Sequence, residues 1–281
     1  MNYSDSFRIK AGAKVDLAKL DPDAKDGHHD KESAQMEIAE LGRRMEELQF
    51  KLYAENRRSL LICLQAMDAA GKDGTIRHVI GPLNPQGTRV VGFKVPSAEE
   101  AAHDFLWRIH RQVPARGEIV IFNRSHYEDV LVARVHKLVP KEVWSGRFDL
   151  INAFEANLAA GGTRILKFFL HISPDEQLKR FQQRLDDPAR HWKISLADYS
   201  ERELWPKYQQ AYAEALSRTS TAAAPWFVIP ANHKWFRNLA VSRIIVETLE
   251  AFDLTLPAPT VDLDEIRRRF HAAREAAGKN R

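Results

Sequence analysis

Apolar residues recur along this chain in two rhythms. From Glu32 to about Arg57, Met36, Leu41, Met45, Leu48 and Leu52 return mostly every three or four positions with Glu and Arg between them, which predicts an amphipathic helix with one face toward a core. Beyond it the apolar positions gather into short runs: Leu60 to Leu64, Arg89 to Val95, Glu118 to Phe122, Ile165 to Ile172 and Trp226 to Ile229. These predict five buried strands. Helical segments separate them, two opened by Ser-x-x-Glu signals of the capping-box type: Ser97 with Glu100, and Ser173 with Glu176, where Pro174 takes the first helical position. Connections of this length are crossovers and not hairpins, so the strands are mostly parallel with helices over both faces. The expected architecture is a three-layer α/β/α domain around a mostly parallel five-stranded sheet.

Residues 1–31 are polar and irregular and read as an N-terminal arm lying on the body. No internal repeat, low-complexity tract or Gly/Ser linker interrupts the rest, so one catalytic domain over 32–255 is preferred to two, followed by a tail over 256–281 with the pattern of a terminal helix. At 281 residues, 44% hydrophobic and 28% charged, the composition is that of an ordinary soluble protein. The N-terminus carries charges throughout, and no run reaches the roughly 18 apolar residues of a membrane span. A single cysteine, Cys63, excludes an intramolecular disulfide and a cysteine-ligated zinc site and fits a reducing compartment, so the expected location is the cytoplasm, away from membranes. Forty-two Lys and Arg against 38 Asp and Glu leave a formal charge of +4, weak evidence for a polyanionic partner until the positions of the cations are known.

Ligands of open α/β sheets bind beyond the carboxyl ends of the strands, and the first strand there runs into M-D-A-A-G-K-D-G-T. Small residues Ala69, Ala70 and Gly71 before Lys72 and a helix are the arrangement that turns backbone N–H groups toward a phosphate, with lysine as a mobile point charge. Only the second half of the strict pattern G-x-x-x-x-G-K-[ST] is met: Ala66 stands at the first glycine and Asp73 at the hydroxyl position. A methyl group at Ala66 would distort the loop if that position required an unusual φ. Asp68 offers a carboxylate for Mg²⁺. The third strand closes on I-F-N-R-S-H-Y-E-D, where Asn123 takes the place of a metal-binding carboxylate, leaving Asp68, with Glu128 or Asp129, to supply the negative charge. Arg124 is suited to grip phosphoryl oxygens, a structural pairing with Glu128 or Asp129 being the alternative. Arg180 and Arg184 lie four apart on one helical face, in a basic stretch from Lys179 to Lys193 that reads as part of a lid over about 180–205. Tyr199, Trp205, Tyr208 and Tyr212 after it read as packing, as do Trp107, Trp144 and Trp235. His28, His29, His103, His110 and His126 lack metal-ligand spacing.

Together D-A-A-G-K-D-G-T-I-R-H (68–78), N-P-Q-G (84–87), V-P-S-A-E-E-A-A-H-D-F-L-W-R (95–108), I-F-N-R-S-H-Y-E-D-V-L-V (121–132) and R-T-S-T-A-A-A-P-W-F-V-I-P-A-N-H-K-W-F-R-N-L (218–239) resemble the polyphosphate kinase 2 family, in the subgroup that phosphorylates nucleoside mono- and diphosphates. The resemblance implies a P-loop kinase-like fold with a helical lid. Inorganic polyphosphate would be the donor, AMP or ADP (or GMP and GDP) the acceptor, and Mg²⁺ or Mn²⁺ the cofactor. It implies that Asp68 and Asn123 hold the metal, that Ala69, Ala70, Gly71, Lys72, Asp73, Gly74 and Thr75 bind phosphate with Arg180 and Arg184, and that Asn123, Arg124, Ser125, Tyr127 and Glu128 meet the acceptor. Asp68, Lys72, Arg124 and Arg184 would carry the chemistry. Arg111, Arg116, Arg134 and Lys137 are the cations considered for a polyphosphate track. A homo-oligomer, dimer or tetramer, is expected, with no nucleic-acid partner. Two rival readings share these motifs: an ATP-dependent nucleoside monophosphate kinase, and a non-catalytic polyanion binder with a degenerate loop. The second does not account for a metal-binding carboxylate beside the lysine.

Overall fold

All five apolar runs become strands: β1 Ser59–Ala66, β2 Thr88–Gly92, β3 Ile119–Asn123, β4 Thr163–His171 and β5 Trp226–Pro230. The structure, a computed structural model, describes residues 3–25, 27 and 30–279; His28 and His29 lie outside the described residues. The strands form one sheet in the order β2-β3-β1-β4-β5, and every pairing is parallel. The chain leaves β1 for one edge, returns through β3, then passes over β1 to build the other half. Such a reversal leaves a crevice at the carboxyl ends of the central strands.

Helices of eight residues or more are α1 Lys31–Glu55, α2 Lys141–Ala160, α3 Pro174–Asp186, α4 Leu196–Glu203, α5 Trp205–Thr219, α6 Lys234–Glu250 and α7 Leu263–Lys279. Alternate residues of β1 supply the two faces of the sheet. Leu60, Ile62 and Leu64 join Met45, Leu48 and Leu52 of α1 and Phe236, Ala240 and Ile244 of α6 in one core. Leu61 and Cys63 meet Phe154 of α2 on the other face, where Phe148 and Ile151 pack with Tyr212 and Leu216 of α5. Met36 departs from its expected place, 67% exposed; in this part of α1 the buried residue is Ala34. Farther along α1, buried Gln49 bonds the Asn84 backbone and the Thr88 hydroxyl (2.6–2.8 Å), fixing the N-P-Q-G segment.

The box at Ser97 forms in both directions. At Ser173 only half forms: the hydroxyl accepts from Glu176 N–H (3.1 Å), while the Glu176 carboxylate takes Arg180 Nε (2.8 Å). The arm lies on the edge of the sheet, where Ile9 N–H donates to Trp226 O (2.8 Å) and Arg8 bridges Phe227 antiparallel, so β5 does not present an open edge there. Ser4 N–H and hydroxyl both reach Glu247 of α6.

Candidate active site

Beyond Ala66 the chain reverses through two left-handed residues, Ala69 at φ 61° and Gly71 at φ 108°. The distortion expected at Ala66 does not arise, since that residue ends β1 opposite Leu170; the strained position is Ala69. Buried side chains hold the loop carbonyls from behind. Gln177 donates to Asp68 O (3.0 Å), Arg180 to Ala69 O and Ala70 O (2.9 and 2.8 Å), and Arg237 to Ala70 O (3.2 Å). Gly71 then caps the short helical turn Lys72–Thr75, whose first backbone bond is Thr75 N–H to Gly71 O, so the N–H groups ahead of it have no acceptor within the turn. Lys72 Nζ rests on Ala66 O at 3.1 Å. Burial lowers the Lys72 pKa, and the Asp68 carboxylate opposes that shift. Thr75 does not face the cleft: it is buried with its hydroxyl on Gly71 O.

At the end of β3, Arg124 takes φ 63° and its N–H is tied to Leu64 O of β1. Its guanidinium, 46% exposed, stands 3.8 Å from Asp68 and 3.9 Å from Glu128. Asp129 is not part of this set, because Arg147 (3.2 Å) and Arg108 (3.9 Å) claim it. Asn123 lies beside the loop, its Nδ2 donating to Asp73 Oδ1 (3.1 Å). Ser125 and Tyr127 were expected at the acceptor but belong to the core. The Ser125 hydroxyl accepts from Gln65 and from Tyr127 N–H, and the Tyr127 hydroxyl bonds Glu155 and Lys167, so neither reaches the cleft. The turn buries residues 125, 126 and 127 in succession, between Arg124 and Glu128, which line the cleft.

Two cavities open here. The larger, about 1270 Å³, is lined by eleven lysines and arginines against three aspartates, a greater excess than the +4 of the whole chain. The smaller, about 340 Å³, is walled by Met67, Tyr208 and Tyr212 and carries Glu128, Asp198 and Glu201. Asp68 and Arg124 line both. Residues 184–201 roof them, with Lys193 Nζ 3.7 Å from Asp73. Arg184 lines the large cavity and is held by Lys193 O (2.8 Å) and Asp198 (3.3 Å). Arg180 differs from the expectation of a phosphate ligand: 4% exposed, it spends Nε, Nη1 and Nη2 on Glu176 and on the carbonyls of residues 69, 70, 231 and 232. The track guessed from Arg111, Arg116, Arg134 and Lys137 is absent from the lining; Arg77, Lys94, Arg190, Lys193, Lys234 and Arg237 are the cations that flank Lys72. Arg134 is bound instead to Glu214 (2.7 Å). Sequence reasoning missed Arg237, although it lies in the quoted K-W-F-R-N-L segment, because nothing in that spacing says the helix start will meet a loop 167 residues earlier.

No group of three His, Cys, Asp or Glu able to hold a metal occurs among the described residues. Mg²⁺ would need no such group, since it uses one or two carboxylates and completes its shell with water and substrate phosphate. Asp68, one-third exposed between the cavities, fits that role, and the Asn123 amide, whose nitrogen is engaged by Asp73, has its oxygen left to join it. Burial raises the Glu128 pKa and outweighs the nearby Arg124 and Lys72 charges. A carboxyl raised in the folded state binds protons that the unfolded chain has released, so stability falls as pH rises from the ordinary glutamate range through the folded pKa. Glu128→Gln is therefore expected to melt higher than the parent at pH 8, with the difference shrinking toward pH 4; a constant difference across a thermal-denaturation pH series refutes this.

A parallel sheet with a lysine loop on its first strand, an arginine on the adjacent strand end and a helical roof defines a phosphotransferase of P-loop kinase-like fold. The family model for polyphosphate kinase 2 (PPK2) matches residues 28–256, and the chain belongs to that family. It is 52% identical over 261 residues to the AMP/ADP-polyphosphate phosphotransferase of Meiothermus ruber, covering 92% of this chain and 98% of that one. It is 47% identical over 272 residues to the ADP-polyphosphate phosphotransferase of Rhodopseudomonas palustris, covering 90% and 92%. The crystal structure of polyphosphate kinase 2 from Arthrobacter aurescens TC1 superposes with a TM-score of 0.93 at 42% identity, over 97% of each chain. No helix among the described residues is long and apolar enough to cross a membrane.

Proposed function

We propose that this protein moves a phosphoryl group from inorganic polyphosphate to AMP and ADP, with residues 32–255 as the catalytic unit and residues 180–205 as its lid. The observation that carries this reading is the meeting of two unlike cavities at Asp68 and Arg124. The wide cationic one suits a polyanion longer than a nucleotide. The smaller one, with tyrosines and carboxylates, suits the acceptor. In-line transfer needs donor and acceptor on opposite sides of the migrating group, which places that group beside the two shared residues.

Loop N–H groups of residues 71–74 and the Lys72 ammonium hold the terminal donor phosphate, and Arg124 spans donor and acceptor oxygens as charge spreads over the migrating group. Arg184 closes from the lid. Arg180 acts from behind, holding Ala69 and Ala70 so that the loop keeps its curvature. Mg²⁺ or Mn²⁺ at Asp68 and Asn123 would neutralise bridging phosphate charge. The lone buried cysteine supports a cytoplasmic site of action, and the exposed Leu263, Ile266 and Phe270 of α7 support assembly as a dimer or tetramer.

Mixing the protein with Mg²⁺, polyphosphate and AMP, ADP, GMP or GDP in parallel, with no other donor, is expected to yield the corresponding di- and triphosphates. Activity with ATP and AMP but none with polyphosphate would transfer the assignment to an ATP-dependent monophosphate kinase.

A further inference from the structure

Beneath the active-site turn lies a charged group that touches neither cavity. Lys167, in the middle of β4, is fully buried, and Glu155 of α2 is 1% exposed. Lys167 Nζ donates to Glu155 Oε2 (2.6 Å), the Tyr127 hydroxyl oxygen (2.9 Å) and Thr219 O (2.7 Å), which uses all three ammonium protons. Glu155 Oε1 accepts from the Tyr127 hydroxyl (2.9 Å) and lies 3.1 Å from His126 Nε2. The other ring nitrogen of His126 is buried without a partner, so Glu155 alone orients that ring by hydrogen bonding.

Burying an ion pair seldom adds net stability, because desolvation offsets the attraction and an apolar pair of equal volume often does as well. The pair must then be read by what it grips. Of the inward residues between Arg124 and Glu128, His126 and Tyr127 are the two that this pair holds. Arg124 sits at φ 63°, a conformation that persists only where its surroundings over-determine it. Its N–H is tied to Leu64 O on one side. On the other side the turn is fastened through the 126–127 pair to Glu155 and Lys167.

We infer that Glu155 and Lys167 are positioning residues for phosphoryl transfer, fixing through His126 and Tyr127 the turn that presents Arg124 and Glu128. The inference rests on the proposed roles of those two residues, and its test separates the two. In Glu155→Leu with Lys167→Met no buried charge is left unpaired, but His126 Nε2, the Tyr127 hydroxyl and Thr219 O lose these partners, so a lower melting temperature with a folded protein at assay temperature is expected. Turnover is expected to fall at least ~10-fold, the scale of a sub-ångström displacement of a reacting group, with KM for polyphosphate and ADP within about twofold. Introduced into an Arg124→Ala background, the same pair of changes is expected to cost less than about twofold further, since groups acting as a unit are not additive. A folded double variant with parental turnover, or a full ~10-fold loss repeated on top of Arg124→Ala, overturns the inference alone. Arg124→Ala with parental turnover overturns the site assignment and the inference with it. Should the double variant not fold, Tyr127→Phe decides: loss of that one hydroxyl should lower turnover about threefold or more at unchanged KM, and parental turnover rejects the positioning role.

Discussion

Lys72→Ala is expected to lower turnover at least ~100-fold, the scale of removing one preorganised electrostatic contact from a phosphoryl-transfer site. Two orders of magnitude correspond to about 2.7 kcal/mol of transition-state stabilisation. The ammonium is held at a cost in the free protein: it is half-buried, its pKa is lowered by that burial, and the acceptor it meets at 3.1 Å is a neutral carbonyl, Ala66 O. A group whose charge is under-compensated in the resting site gains most when an anion arrives, and gains further as negative charge accumulates on the migrating phosphoryl oxygens. Alanine should leave thermal stability unchanged or raise it, because a cation with a depressed folded pKa destabilises the fold below that pKa. Asp68→Asn is expected to reach a similar loss by removing the carboxylate that faces Arg124 and both cavities. Initial rates with polyphosphate and ADP, alongside melting curves, check both. Parental turnover in the two variants would refute the mechanism, and a fall in melting temperature matching the rate loss would mark Lys72 as structural.

What could be read from sequence follows the range over which each signal acts. Strand positions were legible to within three residues, the largest miss being the end of β2 at Gly92 and not Val95, because five apolar runs in a row leave few other ways to bury them. The lysine loop was legible because phosphate recognition there is local, its parts lying within eight residues. Arg124 was legible as the residue that follows a strand end. Ser125 and Tyr127 were not separable from it, since Ser125, His126 and Tyr127 turn inward together ahead of the 3₁₀ turn's outer residues, and a short irregular turn has no periodicity that marks its buried side.

Arg180 illustrates a different limit. An arginine at helical spacing from another arginine reads as a pair reaching for phosphate, yet only Arg184 lines the cleft without being saturated by backbone carbonyls. Loops with left-handed residues need their carbonyls satisfied from somewhere, and here the nearest donors are guanidinium groups of α3 and α6. Charge at a phosphate site thus divides between arginines that meet the ligand and arginines that shape what meets it, a division set by tertiary contacts more than 100 residues apart in sequence. The track of cations was misplaced for the same reason: Arg77, Lys94 and Lys234 share a wall only after the sheet has closed.

Gly71→Ala is expected to reduce kcat/KM about 100-fold, the effect of shifting a loop by about 1 Å at a reacting centre. Two independent costs meet at this residue. Its φ of 108° is a conformation that a side chain resists by roughly 1–2 kcal/mol. A methyl group there would also stand 1.9 Å from Arg237 Nη1 and 2.9 Å from its Cζ. Arg237 is the tip of a long side chain, but it is 2% exposed and hydrogen-bonded to Ala70 O, and burial holds its pKa down to about 9. To move aside it must release that carbonyl or enter the cationic cleft. Gly74→Ala is the graded control, since its methyl would lie 3.1 Å from Arg237 Nη2 and its φ is not left-handed, so a loss of less than about tenfold is expected. The double variant Gly71→Ala, Arg237→Ala separates the two costs: it removes the collision and keeps the backbone strain, so it should regain part of the lost stability without recovering kcat/KM. Full recovery there would show that the loop tolerates alanine at 71 and that Arg237 alone enforces glycine. Parental kcat/KM in the single Gly71→Ala variant would mean that the backbone groups of residues 71–74 do not hold the phosphate at all.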